Sequence, residues 1–206
     1  RGRYYMVMDF IEGQNLRDFM KLRKHMELNE AIKLTNDICL GLNYALQNGM
    51  THRDLKLSNV LISSKGRAEL ADFGLASMID PKDDKEFANA PNPRSIDYAG
   101  LERATNVPRN DVRSDIFFVG CMLYHMLSGR PPLAETRDRM QRLYIGRYRD
   151  IPPLGKFVKG LPQVMLNIIK KTLAFDPALR YPNYDPLIAD LADVKNAEAV
   201  LLQRSV

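Results

Sequence analysis

Apolar residues along the chain fall into distinct rhythms, and each rhythm predicts an element. Tyr4–Phe10 (YYMVMDF) is aromatic and Met-rich, which predicts a strand ended by Glu12-Gly13-Gln14. Leu16, Phe19 and Met20 share one face of a short helix. Thr35, Ile38, Cys39, Leu42, Ala45 and Leu46 recur at helical spacing and predict a longer helix with one buried stripe. Asn29 is its expected N-cap, Glu30 a favourable first-turn residue, and Gly49 its left-handed terminus. Val60-Leu61-Ile62 and Arg67–Ala71 flank Ser64-Lys65-Gly66, the pattern of a hairpin. Residues from about Ala76 to Arg94 are polar and rich in Pro, Asn and Asp, so they read as a long loop. Ile116–Leu127 (IFFVGCMLYHML) is apolar on nearly every face, which predicts a helix buried in the middle of the domain, stopped by Gly129-Arg130-Pro131-Pro132. Further helices are expected near 136–147, 162–174 and 184–196. The fold class is therefore mainly α with a small β-hairpin.

Composition narrows the picture. With 206 residues, 45% apolar and 27% charged, the chain can build one domain with a sizeable core. No apolar run approaches the roughly 20 residues of a membrane span. Arg1-Gly2-Arg3-Tyr4-Tyr5 is no signal peptide and reads as a chain entered mid-strand. Cys39 and Cys121 lie in apolar helical context, as buried free thiols suited to a reducing cytoplasm. The net charge of +5 could suit nucleic acid, but the basic residues are dispersed and no aromatic-basic motif accompanies them, so no nucleic-acid partner is expected. The densest basic group is Arg137, Arg139, Arg142, Arg147 and Arg149. It reads first as a solvated helical face and second as a docking surface for an acidic partner.

Candidate chemistry brackets the hairpin. His52-Arg53-Asp54-Leu55-Lys56-Leu57-Ser58-Asn59 stands just before it, and Asp72-Phe73-Gly74 just after. A hairpin brings its two ends together, so Asp54, Asn59 and Asp72 should converge on one cleft. Asp and Asn oxygens are hard ligands suited to Mg²⁺, which makes Asn59 and Asp72 candidate metal ligands. Asp54 is then free to orient a hydroxyl and accept its proton, and Lys56 can neutralise phosphate charge. Phosphoryl transfer needs mainly positioning and charge neutralisation, and this set supplies both.

HRDLKLSN resembles the catalytic loop of eukaryotic-type serine/threonine protein kinases, and DFG resembles their magnesium-binding motif. The resemblance runs over nearly the whole chain and implies the large C-terminal lobe of that fold. It implies a catalytic set of Asp54, Lys56 and Asn59, with ATP and Mg²⁺ as cofactors and a protein Ser or Thr as acceptor. Tyr5–Ile11 resembles the strand and hinge between the two lobes. Met8 would be the gatekeeper, the backbone of Asp9 and Ile11 would bond adenine, and Leu61 would form the floor beneath it. Residues 1–14 would thus be the last small-lobe strand and hinge, 15–206 the large lobe, and 72–102 the activation segment. Asp115 would anchor the catalytic-loop backbone, Arg180 would pair with Glu102, and His52 would be a packed structural residue. Lys56, and Ser95 in the substrate loop, favour Ser/Thr over Tyr acceptors.

Departures from the pattern are specific. No Gly-x-Gly occurs in the chain, and no upstream strand supplies the ATP-binding Lys, so residues 1–206 alone are expected to be inactive without the small lobe. The Ala-Pro-Glu motif reads Gly100-Leu101-Glu102, and the Gly-Thr of the substrate loop reads Arg94-Ser95. A pseudokinase or scaffold that binds partners without chemistry is the alternative reading; the intact Asp54, Asn59 and Asp72 argue against it. Between Met78 and Arg94 there is no hydroxyl residue, whereas Asp80, Asp83, Asp84 and Glu86 lie there. One of these carboxylates, paired with Arg53, could stand in for an activating phosphate.

Overall fold

The computed structural model describes residues 10–73, 77–78, 96–108 and 110–203. Of the strand expected at Tyr4–Phe10 only Phe10, exposed and outside any strand, is described; Met8, Asp9 and the loop acids expected to meet Arg53 lie outside the described residues.

Among the described residues the first elements are β1 (Gly13–Asn15) and α1 (Leu16–Arg23), where a strand end was expected. Asn15 starts the helix because its side chain accepts the Asp18 N–H at 2.9 Å. Leu16 and Met20 are buried and Phe19 half-buried, as their shared face predicts. β1 was missed because only backbone pairing marks it: Gly13 and Gln14 sit opposite Ser63 and Ile62. A Cβ on Gly13 would lie 1.9 Å from the Ile62 carbonyl, so only glycine permits this approach.

Helix α2 (Leu28–Gln47) carries the expected stripe; Thr35, Ile38, Cys39, Leu42 and Ala45 are buried and Leu46 half-buried. Its start differs from expectation. Glu27, not Asn29, is the N-cap, and its side chain makes no capping bond. A tertiary tie fixes this end instead: the Met26 N–H donates to the Met126 carbonyl at 2.8 Å, and Leu28 packs on the core. Gly49 closes the helix with φ +72, as expected.

Strands β3 (Val60–Ser63) and β4 (Ala68–Leu70) form the expected hairpin, with Val60 opposite Leu70. β1 joins its other side, giving the order β1-β3-β4. A second antiparallel pair, β2 (Met50–Thr51) with β5 (Ser77–Met78), lies across the catalytic-loop region and had no sequence signal of its own.

The further described α-helices are α3 (Ile96–Thr105), α4 (Val112–Ser128), α5 (Arg139–Leu143), α6 (Gly146–Arg149), α7 (Gln163–Thr172) and α8 (Tyr184–Gln203). As predicted, α4 is the central helix, and every residue from Ser114 to Gly120 is buried. Asp111 caps its start and Gly129, φ +70, its end. α2 packs on α4 and α8, and α7 on α4 and α8, so one core is shared by all four. The helix expected over 136–147 is instead two short ones, α5 and α6, broken where Tyr144 adopts an extended backbone. Both cysteines are free; Cys39 is buried and Cys121 half-buried. Among the described residues no helix is long and apolar enough to cross a membrane.

Candidate active site

The catalytic-loop segment is held from below by one carboxylate. Asp115, in the first turn of α4 and fully buried, accepts the backbone N–H of His52 at 2.8 Å and of Arg53 at 3.0 Å. It also accepts the Tyr98 hydroxyl at 2.8 Å. Burial pushes the Asp115 carboxyl above the usual carboxylate range, while the His52, Tyr98 and Arg53 bonds pull the other way. Tyr98 reaches the loop a second time, accepting the Leu55 N–H at 3.2 Å. Arg53 lies in the left-handed region at φ +65. A non-glycine residue there costs about 1–3 kcal/mol and persists only where its surroundings fix it. Here the bonds to Asp115 and Tyr98 do the fixing, so the expected anchoring role of Asp115 is met. His52 is also as expected: its ring is fully buried and packs on Phe73 at 4.6 Å.

Above this foundation the polar side chains converge. Leu55 and Val60 are buried in the core, Asp54 and Asn59 are nearly buried, and Lys56 between them is exposed. The Asp54 carboxylate accepts Lys56 Nζ at 2.5 Å and Asn59 Nδ2 at 3.1 Å, and the same amide nitrogen donates to the Asp54 carbonyl at 3.0 Å. Both Asn59 donor contacts are thus turned inward, which leaves its Oδ1 oxygen as the outward acceptor, contacted by the Ser58 hydroxyl at 3.3 Å. The Ala71 N–H donates to the Asn59 carbonyl at 2.9 Å, so the far end of the hairpin is tied to the catalytic loop. Asp72 follows directly, exposed and left-handed at φ +63. Asp54, Lys56, Asn59 and Asp72 therefore come together at one end of the hairpin. Asn59 Oδ1 and the exposed Asp72 carboxylate are hard oxygen donors, a donor set that fits Mg²⁺ sharing its shell with phosphate oxygens and water. Of the residues read as contacting nucleotide, Leu61 is half-buried in β3 between Asn15 and Glu69, and Ile11 is half-buried ahead of β1.

A second polar cluster, invisible in the sequence, stands across the cleft. Asp97 in α3 accepts Arg142 through both oxygens, at 3.1 and 2.6 Å, and Arg147 at 2.5 Å. Burial raises the Asp97 carboxyl, but the bonds from Arg142 and Arg147 more than offset this and hold it below the usual range. The Tyr148 hydroxyl bonds the Arg142 carbonyl at 2.6 Å and the Asp97 carbonyl at 3.1 Å, and burial pushes it up to about 12. Gly100 makes room: a Cβ there would lie 2.2 Å from the Tyr148 hydroxyl and 2.9 Å from the Arg142 carbonyl. The departure to Gly100 at the Ala-Pro-Glu position thus has a partner in Tyr148. This corrects the reading of the arginine-rich segment as one solvated face: Arg137, Arg139 and Arg149 are exposed, but Arg142 and Arg147 turn inward. The segment's interruption at Tyr144 allows both to point at Asp97. Arg180 also departs from expectation. Its guanidinium donates to the carbonyls of Ala174, Arg113 and Phe175, and a pairing with Glu102 is not among these bonds. Burial brings Arg180 down to about 10, and carbonyl acceptors satisfy its donors without a second buried charge.

A mainly helical lobe with its catalytic loop strung over a buried Asp and capped by a short hairpin defines the class. The chain belongs to the protein kinase domain family, whose model matches residues 1–188. It is 32% identical over 194 residues to the serine/threonine-protein kinase PknB of Mycobacterium tuberculosis (strain ATCC 25618 / H37Rv), covering 94% of this chain and 31% of that protein. It is 31% identical to PknB of Mycobacterium leprae, with the same coverage. A probable serine/threonine-protein kinase PknB of Bifidobacterium longum is 30% identical over 193 residues, 93% of this chain and 28% of that protein. The chain spans about a third of the length of these curated relatives.

Proposed function

We propose that the chain is the large lobe of a protein serine/threonine kinase, which transfers the γ-phosphoryl group of ATP to Ser or Thr hydroxyls of proteins. The observation that carries this reading is the convergence of Asp54, Lys56 and Asn59 through mutual bonds, with Asp72 tied alongside by Ala71. Asp54 orients the acceptor hydroxyl and takes its proton as the oxygen bonds to the γ-phosphorus. The bond from that phosphorus to the β-γ bridging oxygen breaks, and ADP leaves. Lys56 sits beside Asp54 and offsets charge on the phosphoryl group in flight. Asn59 and Asp72 would hold Mg²⁺, which neutralises phosphate oxygens when bound. Relatives named as serine/threonine kinases support hydroxyls of Ser and Thr as acceptors. On this reading residues 1–14 are the hinge side, Asp9 and Ile11 bond adenine beside Met8, Leu61 lies beneath the ring, and residues 72–102 are the activation segment. The small lobe of the same kinase supplies the glycine-rich cover and the Lys over the phosphates, and free thiols with an ATP donor fit the cytoplasm. The test uses the complete kinase with a Ser/Thr protein and phosphoamino-acid analysis of the product. Asp54→Ala should lower kcat by about 10²–10⁴-fold. Asp72→Ala should abolish Mg²⁺-dependent use of ATP. A near-normal kcat in either variant, or phosphotyrosine as the product, would refute the assignment.

A further inference from the structure

A cleft of about 800 Å³ runs from Asp54 and Lys56 to the 131–137 loop. Its charges do not balance. On one wall Arg142 and Arg147 share the single carboxylate of Asp97, and their side chains are only 28% and 10% exposed. Two guanidiniums against one carboxylate leave a positive excess in a wall where solvent screens poorly. Two further arginines, Arg17 and Arg137, line the same cleft, are exposed, and make no ion pair among the described residues. The carboxylates lining it are Asp54, Asp97 and Glu135. Asp54 is already bonded by Lys56 and Asn59. Among the described lining residues, five cations (Arg17, Lys56, Arg137, Arg142, Arg147) thus face three anions. The cleft also reaches the catalytic base electrically: the Asp54 charge is among the influences that hold Arg142 above its ordinary range, after its bond to Asp97. Phe118, Met122 and Leu133 supply an apolar floor.

We infer that this cleft selects protein substrates with a carboxylate side chain close to the acceptor Ser or Thr, and that Arg17 and Arg137 are the arms that bind it. The inference rests on the kinase reading of the site. Arg142 and Arg147 are locked on Asp97 and supply a fixed field, whereas the two exposed arms can move to meet an incoming acid. A cleft lined with one excess sign concentrates ligands of the other sign.

The test uses the complete kinase and a peptide series with one Ser acceptor, carrying Asp, phosphoserine, Ala or Lys at each nearby position. The best-placed Asp should raise kcat/KM about 3–10-fold over Ala, mainly through KM, and the advantage should shrink as salt is added. Lys at the same position should be the poorest. The double variant Arg17→Gln/Arg137→Gln should bring the Asp and Ala peptides to the same kcat/KM. Transfer to the Ala peptide with no gain from Asp overturns the inference alone. An Asp preference that survives the double variant removes the two arms from the assignment and overturns it likewise. A gain from phosphoserine without one from Asp overturns the carboxylate specificity in favour of a phosphorylated neighbour. No transfer to any peptide overturns the kinase reading, and this inference with it.

Discussion

The two walls of the cleft are built by opposite means. On the catalytic side a single buried carboxylate, Asp115, gathers consecutive backbone N–H groups and a tyrosine hydroxyl, so the loop is positioned by its main chain. On the facing side Asp97, Arg142, Arg147 and Tyr148 are joined through side chains far apart in sequence, with Asp97 and Arg142 partly exposed and Arg147 and Tyr148 nearly or fully buried. Buried bonds to a charged acceptor are strong and costly to remove, while partly exposed ion pairs are weaker and screened. On the kinase reading, main-chain bonds thus fix the catalytic groups and side-chain ion pairs fix the opposite wall, and only its exposed Arg17 and Arg137 are left to adjust. That suits a site where the base must be placed closely but the polypeptide beside it varies.

The largest expected effect comes from breaking the rigid side. Asp115→Asn keeps one oxygen but turns an amide toward donors, leaving buried N–H groups unmatched. In the complete kinase it should lower unfolding stability by about 2–4 kcal/mol and reduce kcat. Urea unfolding with parallel kinetics measures both, and a stable variant with normal kcat would show that the loop does not depend on Asp115.

The facing wall should yield a smaller effect of a different kind. Gly100→Ala forces a methyl group against the Tyr148 hydroxyl and the Arg142 carbonyl, and overpacking of this sort costs about 1–3 kcal/mol. Its kinetic signature should be a raised KM for protein substrate with kcat largely kept. Tyr148→Phe removes the closest clashing atom, so the double variant should lose less stability than the two single losses added. Strict additivity would mean that the two residues do not meet.

The smallest effect tests the ion pairs themselves. The carboxyl of Asp97 is held below its ordinary 3.8 in the folded chain. A depressed folded value means the pairs stabilise fully above the unfolded range and lose that contribution as pH falls through the folded value. Asp97→Asn should therefore cost about 1 kcal/mol at neutral pH. The gap to wild type should close as pH drops below about 4. Unfolding midpoints across that window give the answer, and a constant gap would mean that packing, not charge, joins the two elements.

Sequence alone determined the rhythm-bearing parts. The all-round apolar run of α4, the stripe of α2 and the 60–71 hairpin follow from local periodicity, and the motifs at each end of that hairpin are close enough in sequence for its geometry to imply that Asp54, Asn59 and Asp72 meet. Only the tertiary structure decided the rest. β1 and the β2–β5 pair exist because backbone groups found partners across the fold, not because of side-chain alternation. The start of α2 moved to Glu27 because a core contact outweighed the capping preference of Asn29. Asp97 meets arginines 45 and 50 residues away, and Arg180 bonds carbonyls instead of the expected Glu102. No local pattern encodes such pairings, since a charge takes whichever partner the packed helices place within reach.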